Sequence, residues 1–360
     1  MEREKYVALF DGAIRQLFKD ALRISFRDPG MALFLLGAIR RQNRAARLRQ
    51  SWAAKGVRVP PFMIMSITDR CNLHCKGCYA QAHRRSPAQE MSDAKLEGVI
   101  AEARDLGVSI MLIAGGEPLT RPEILDIAGK FPEIVFPVFT NGLLLDDEKI
   151  AAFRRQRNVI PVVSLEGEAR DTDSRRGGGV HKQLLGTVAA LRKEGVFFGA
   201  SFTLTRNNCD RVVERGFIGR LIAAGCRLFF FVDYVPVQEG TEEMVMTEAQ
   251  RKDAAGGIEA LRSGLPGLFI ALPGDEERYG GCLAAGRGFA HISPEGGLEP
   301  CPFSPHSDAN LHELSLREAL QSDLLRKIRE NAEQLSETRG GCALWTRREW
   351  VRSLLAGERE

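Results

Sequence analysis

The chain has little net charge, no long apolar run and, over one extended interval, no acid at all. Lys plus Arg number 50 and Asp plus Glu 47, a net charge of +3. A balance so near neutrality carries no nucleic-acid signature. No stretch approaches the ~20 apolar residues that a membrane-spanning helix needs. Glu2, Arg3, Glu4 and Lys5 stand at the start with no apolar run behind them, so no signal peptide and a cytoplasmic setting are expected. The eight cysteines are then expected as thiols or metal ligands rather than disulfides. Internal repeats and low-complexity tracts are lacking too. What remains is 44% hydrophobic and 27% charged over 360 residues, enough for one large globular domain and a smaller one.

The acid-free interval runs from Asp28 to Asp69 and holds Arg40, Arg41, Arg44, Arg47, Arg49, Lys55 and Arg58. Leu9, Phe10, Ala13, Ile14, Leu17, Phe18 and Ala21 before it recur at helical spacing, and Pro29-Gly30 interrupts the pattern. Residues 1–58 therefore read as a helical extension. Two readings of its basic face stand side by side: a solvated cover over the rest of the fold, or contact with an anionic membrane surface or lipid substrate.

From Phe62 on, apolar β-rich runs alternate with helical ones. Strands are expected at 62–68, 109–114, 135–140, 160–165, 197–204 and 228–235. Amphipathic segments lie near 92–106, 121–131, 146–156, 181–194 and 210–224. Six such units imply a parallel partial (β/α)6 barrel over 59–245, with chemistry at the C-terminal strand ends. A further helix is expected at 247–263, within a Cys-containing module over 246–360.

The first strand runs into Asp69-Arg-Cys71-Asn-Leu-His-Cys75-Lys-Gly-Cys78-Tyr79. Three thiolates at C-x3-C-x2-C can converge on one centre from a single loop. A structural zinc site closes with four protein ligands, for which His74 or His83 are the candidates here. An iron–sulfur cubane on three cysteines leaves one iron open.

These residues resemble the signature of the radical S-adenosylmethionine (SAM) superfamily. The resemblance implies a 4Fe–4S cluster on Cys71, Cys75 and Cys78 whose open iron chelates SAM, giving a 5′-deoxyadenosyl radical that abstracts hydrogen. It continues in Gly115-Gly116-Glu117-Pro118, similar to the family's GGEP motif, where backbone carbonyls and Glu117 would face the ligand ammonium. Asn141, Ser164 and Glu166 at the third and fourth strand ends resemble its ribose-side loops. Many members carry Asp where this chain has Glu166. Asp173-x2-Arg176-Gly177 resembles a segment whose Arg meets the methionine carboxylate, with Arg175 as competitor, and Thr203 would face the cofactor. Each of these five side chains also reads as a turn former or a solvated charge.

Cys282-x13-Gly296-x4-Cys301 resembles the opening of SPASM and twitch domains, which carry auxiliary clusters. A hairpin of 289–292 and 298–299 about Pro294–Gly297 would bring Cys282 and Cys301 together. Cys342, after Gly340-Gly341, is the third candidate ligand of a second 4Fe–4S cluster whose fourth ligand is non-cysteine, external or absent. Structural zinc and unliganded thiols are the competing readings. Cys209 and Cys226 read as core residues. Asp233 and Tyr234 end the sixth strand, where they would face substrate or form a satisfied pair. His291 decides nothing by itself.

The family further implies an electron donor such as flavodoxin or ferredoxin and a peptide, lipid or small-metabolite substrate. The short helical N-terminus does not fit the winged-helix leader-binding domain of peptide-modifying members. The flanking domains of RNA methylthiotransferases are missing as well. The other class of reading is a non-catalytic iron–sulfur or zinc scaffold.

Overall fold

The computed structural model describes residues 2–25, 28–83, 90–335 and 342–356. Nine strands form one curled sheet: β1 Phe62–Ser66, β2 Ile110–Ala114, β3 Phe136–Thr140, β4 Val159–Leu165, β5 Gly199–Leu204, β6 Leu228–Asp233, β7 Leu268–Leu272, β8 Phe289–Ile292 and β9 Leu298–Glu299. Their order is β7-β6-β5-β4-β3-β2-β1-β8-β9. Every pairing is parallel except that of β8 with β9. This is a partial barrel, and the six expected strands are its centre.

The strands are apolar along their whole length because they are covered on both faces. Met63, Met65, Met111, Ile113, Phe136 and Val138 are fully buried. The crossover helices carry conventional ends. Ser92 caps helix Asp93–Leu106 by accepting from Lys95 N, and left-handed Gly107 closes it. Helix Glu248–Gly264 opens on a Thr247/Gln250 capping box.

The three strands beyond the six come from the C-terminal region. That region is continuous with the sheet rather than set apart from it. β7 extends the β6 edge, and the β8–β9 hairpin extends the β1 edge through pairs such as Met63 with Ala290. The two ends of the half-barrel are thereby drawn from residues expected to lie outside it. Gly340 and Gly341 lie outside the described residues.

Helices α1 (Glu2–Ile24) and α2 (Pro29–Ala54) close one face of the barrel. Ile14, Phe18, Ala21, Met31, Leu35 and Ala38 pack on Val135, Ile160, Val162, Leu228, Phe230 and Leu268. Arg49 is buried, bonded to Asp11, to the Gly107 carbonyl and at 2.9 Å to Ser109 Oγ. The amphipathic apolar face thus serves the barrel, while Arg40, Arg44 and Arg47 point to solvent. The packed apolar face agrees with the reading of a cover over the rest of the fold, and Leu33 and Leu36 of α2 remain exposed. No helix among the described residues is long and apolar enough to cross a membrane.

Candidate functional site

The loops after β1 and β2 lie against each other, and glycine makes that contact feasible. Gly116 N donates to Thr68 O at 2.6 Å and Glu117 N to Arg70 O at 2.8 Å. A Cβ on Gly116 would stand 2.2 Å from the Arg70 carbonyl oxygen. Gly115 has φ +136°, and a Cβ there would lie 2.5 Å from Thr68 O. The GGEP glycines therefore let the cysteine loop close down on β2.

Glu117 braces the β2 loop as well. Its carboxylate is buried and accepts from Leu119 N (3.0 Å), Thr140 Oγ1 (2.7 Å) and Asn141 N (2.6 Å). Burial pushes its pKa up, against the pull of these donors. The carboxylate ties the β2 loop to the end of β3, and Glu117 also lines the cavity described below. Pro118 is buried at the start of a 3-10 turn, Pro118–Thr120. Asn141 Nδ2, so positioned, donates to Asn72 Oδ1 at 2.6 Å and lies 3.9 Å from Cys71 Sγ.

Glu166, expected at the ribose side, is buried. It accepts from Arg175, from Arg176 Nε (2.9 Å) and Nη2 (2.6 Å), and from Thr203 N (3.3 Å). The arginines come from helix Ala169–Arg176. Arg175 O in turn accepts from Lys76 N at 2.9 Å, inside the cysteine loop. Burial pushes the Cys75 thiol up, and the two guanidiniums pull it down. Arg175 Nε is buried with no hydrogen-bond partner among the described residues.

One cavity at the C-terminal strand ends collects most of these groups. Cys71, Cys75, Cys78, Gly115, Gly116, Glu117, Asn141, Ser164, Arg175, Arg176 and Thr203 line it, as do Cys282, Cys301 and Cys342. Pro118 and Glu166 stand behind the wall. Asp233 and Tyr234 line it as well, and burial holds the Asp233 carboxyl up at about 7. The remaining wall is apolar, including Phe62, Phe139, Val232, Leu272, Phe289 and Phe303.

The C-terminal cysteines meet as the hairpin spacing suggested. Cys282 and Cys301 are buried, burial raises both thiols, and Cys301 and Cys342 are hydrogen-bonded. Among the described residues no three His, Cys, Asp or Glu side chains are arranged around a single ion. One zinc would need all its thiolates at about 2.3 Å from one point. A cubane takes three cysteines on three different irons, and three thiols lining one cavity are the donor set it needs. Cys209 and Cys226 are core residues, the latter pushed by burial to about 12.

Three features escaped sequence reasoning. Tyr79 packs edge-on against Phe303 at 5.3 Å, between Cys78 and Cys301. Behind it, Ser66 Oγ meets His291 Nε2 at 2.8 Å and His291 Nδ1 meets Glu299 Oε2 at 2.8 Å, a buried chain locking β8 and β9 to β1. Glu276 lines the cavity beside Cys282, with burial raising its carboxyl to about 8. It belongs to no motif, and only proximity reveals it.

Comparison with known proteins agrees with this geometry. A family model described as the Radical SAM superfamily matches residues 65–210, which include the first triad, the GGEP loop and Thr203. The chain is 26% identical over 314 residues to the AdoMet-dependent heme synthase of Methanosarcina barkeri, covering 79% of this chain and 88% of that protein. It is 24% identical over 251 residues to the PqqA peptide cyclase of Gluconobacter oxydans, covering 67% and 70%. The structure of Streptococcus suis SuiB bound to S-adenosylmethionine superposes with a TM-score of 0.63 at 15% identity, over 86% of this chain and 74% of that one.

Proposed function

The chain belongs to the radical SAM superfamily and is an iron–sulfur enzyme, and from that premise we propose that Cys71, Cys75 and Cys78 hold its 4Fe–4S cluster, that Cys282, Cys301 and Cys342 hold a second, and that the enzyme abstracts hydrogen from a substrate with an apolar body. The observation that carries this reading is the single cavity lined by both cysteine triads, with the GGEP loop beside the first and an apolar wall between them.

When bound, the reduced cluster and SAM supply a 5′-deoxyadenosyl radical, the electron coming from a donor such as flavodoxin or ferredoxin. The protein's part is placement. Arg175 and Arg176 favour negative charge at Cys75, and the orphaned Arg175 Nε is the donor for a ligand carboxylate. Asn141 steadies the sulfur side through Asn72 and Cys71. Ser164, 3.2 Å from Ser201 Oγ, and Thr203 offer hydroxyls to the sugar from adjacent strands. Phe62, Phe139, Phe289 and Phe303 exclude water from the reacting centre. The relatives named a heme synthase and a peptide cyclase make a porphyrin and an apolar peptide the first substrates to try. A zinc scaffold is disfavoured by the match of the first triad and the GGEP loop to the Radical SAM superfamily.

The test is anaerobic reconstitution, then dithionite and SAM. Wild-type protein yields 5′-deoxyadenosine and takes up roughly eight irons, four per cubane. Replacing Cys71, Cys75 and Cys78 together with Ala abolishes the product and leaves about half the iron. Undiminished 5′-deoxyadenosine from that variant overturns the reading.

A further inference from the structure

Resting on the reading that Cys282, Cys301 and Cys342 hold a second 4Fe–4S cluster, we infer that Glu276 is its fourth protein ligand, binding through a carboxylate oxygen the iron that the three cysteines leave open. Three thiolates satisfy three irons of a cubane. The fourth must take a side chain, an external molecule or nothing.

Glu276 is 8% exposed and lines the same cavity as the three thiols. Burying a carboxylate is costly unless a cation or enough donors compensate it. The Leu283 N–H and the Cys282 thiol hydrogen-bond to it and Arg287 adds a favourable charge, but burial outweighs all three. The thiol is a donor only while it keeps its proton. Once Cys282 binds iron as a thiolate that hydrogen bond cannot exist, and the carboxylate is left facing a metal centre with one coordination position free. Loading involves no redox change at the protein. The three thiols and the Glu276 carboxyl, held protonated by burial, each release a proton to solvent, four in all, and Glu276 binds in its ionised form.

The local chain holds Glu276 to this task. It sits in the 3-10 turn Gly274–Tyr279, directly after β7. The neighbouring Asp275 is clamped by Arg262 Nη2 at 2.7 and 2.6 Å and accepts from Ala271 N at 2.9 Å, so its side chain is spent on the opposite side. Gly281 N donates to Glu276 O at 3.1 Å, folding residues 276–281 into a short loop that delivers Cys282 next to the carboxylate. Arg287 donates to the Cys282 carbonyl at 2.6 Å and adds positive charge beside both side chains. Oxygen is a hard ligand, so the iron it binds should be spectroscopically unlike the three sulfur-bound ones.

The experiment uses full-length protein carrying Cys71→Ala, Cys75→Ala and Cys78→Ala, in which the second cluster alone remains visible. In this background Glu276 is kept, or replaced as Glu276→Gln, near-isosteric and uncharged, or as Glu276→Cys, which supplies a fourth thiolate. Each is reconstituted with 57Fe, counted for iron, and followed by Mössbauer and by EPR of the reduced form with and without imidazole. With Glu276 present, one iron in four shows an oxygen-ligand signature and imidazole leaves the EPR unchanged. Glu276→Gln loses that signature, responds to imidazole, and sheds one iron on oxidation to a 3Fe signal about tenfold more readily. Glu276→Cys resists both imidazole and iron loss. Glu276 and Glu276→Gln proteins with four irons each and identical spectra overturn the ligand assignment while leaving the second cluster in place. A background protein that takes up no iron overturns the second cluster itself, and the ligand assignment with it.

Discussion

Adding one methyl group at Gly116 tests whether the GGEP glycines serve the ligand or the fold. A Cβ there meets Arg70 O at 2.2 Å and Arg70 C at 2.6 Å, both backbone atoms that no rotamer change can move. Relief requires the β2 loop to retreat from the cysteine loop by roughly 1 Å, since non-bonded carbon and oxygen sit no closer than about 3.2 Å. That retreat stretches the Gly116 N to Thr68 O and Glu117 N to Arg70 O bonds, now 2.6 and 2.8 Å. Each weakened bond costs about 1 kcal/mol, and the overpacking adds ~1–3 kcal/mol. Gly116→Ala should therefore destabilise the apoprotein by ~3–5 kcal/mol, before any cofactor is present. Gly178→Ala is the control, because a Cβ there meets nothing within 4 Å. The assay is urea unfolding of both apoproteins followed by tryptophan fluorescence and circular dichroism. If Gly116→Ala unfolds within about 0.5 kcal/mol of wild type while SAM binding is lost, the loop–loop argument is wrong and the glycine serves the ligand alone.

Two further outcomes follow from buried charges. Glu166→Gln leaves Arg175 and Arg176 without their counter-ion and should cost ~3–5 kcal/mol in chemical unfolding, with SAM binding weakened through the displaced arginines; wild-type stability would show that the pair is dispensable. Asp233, ordinarily ionising near 3.8, is held at about 7, so the folded state binds its proton more tightly than the unfolded chain does. Its contribution to stability is complete below pH ~4 and is lost as pH rises towards 7. Asp233→Asn should thus match wild type in Tm at pH 4 and exceed it at pH 8, and equal Tm differences at both pH values would refute the shifted carboxyl.

Much of this molecule is legible in one dimension because its determinants are local. The six central strands follow from apolar runs that a doubly covered sheet requires, and Cys71, Cys75 and Cys78 share one loop, so their spacing alone brings them together. The Cys282 and Cys301 approach was likewise readable, since a two-strand hairpin with a Gly-rich turn carries it. Other features depend on which segments meet. β7 and the β8–β9 hairpin look like loop-module sequence, yet the open edges of the half-barrel at β6 and β1 recruit them as strands. The apolar stripe of α1 and α2 fits a lipid surface as well as a protein one, and only the fold shows it packed on Val162 and Phe230 of the barrel. Glu117 and Glu166 carry the expected residue types at the expected places. Their carboxylates nonetheless face Asn141, Thr140, Arg175 and Arg176, because a buried charge is held by whichever donors the fold brings within 3 Å. Glu276 shows the limit of sequence reading most clearly. Nothing in its neighbourhood along the chain marks it, and only the turn after β7 sets it against thiols from residues 282, 301 and 342. Sequence determined where cysteines cluster and where strands begin; tertiary structure decided which carboxylates are braces and that Glu276 lines the cavity with the cysteines, because that depends on burial and partners distant along the chain.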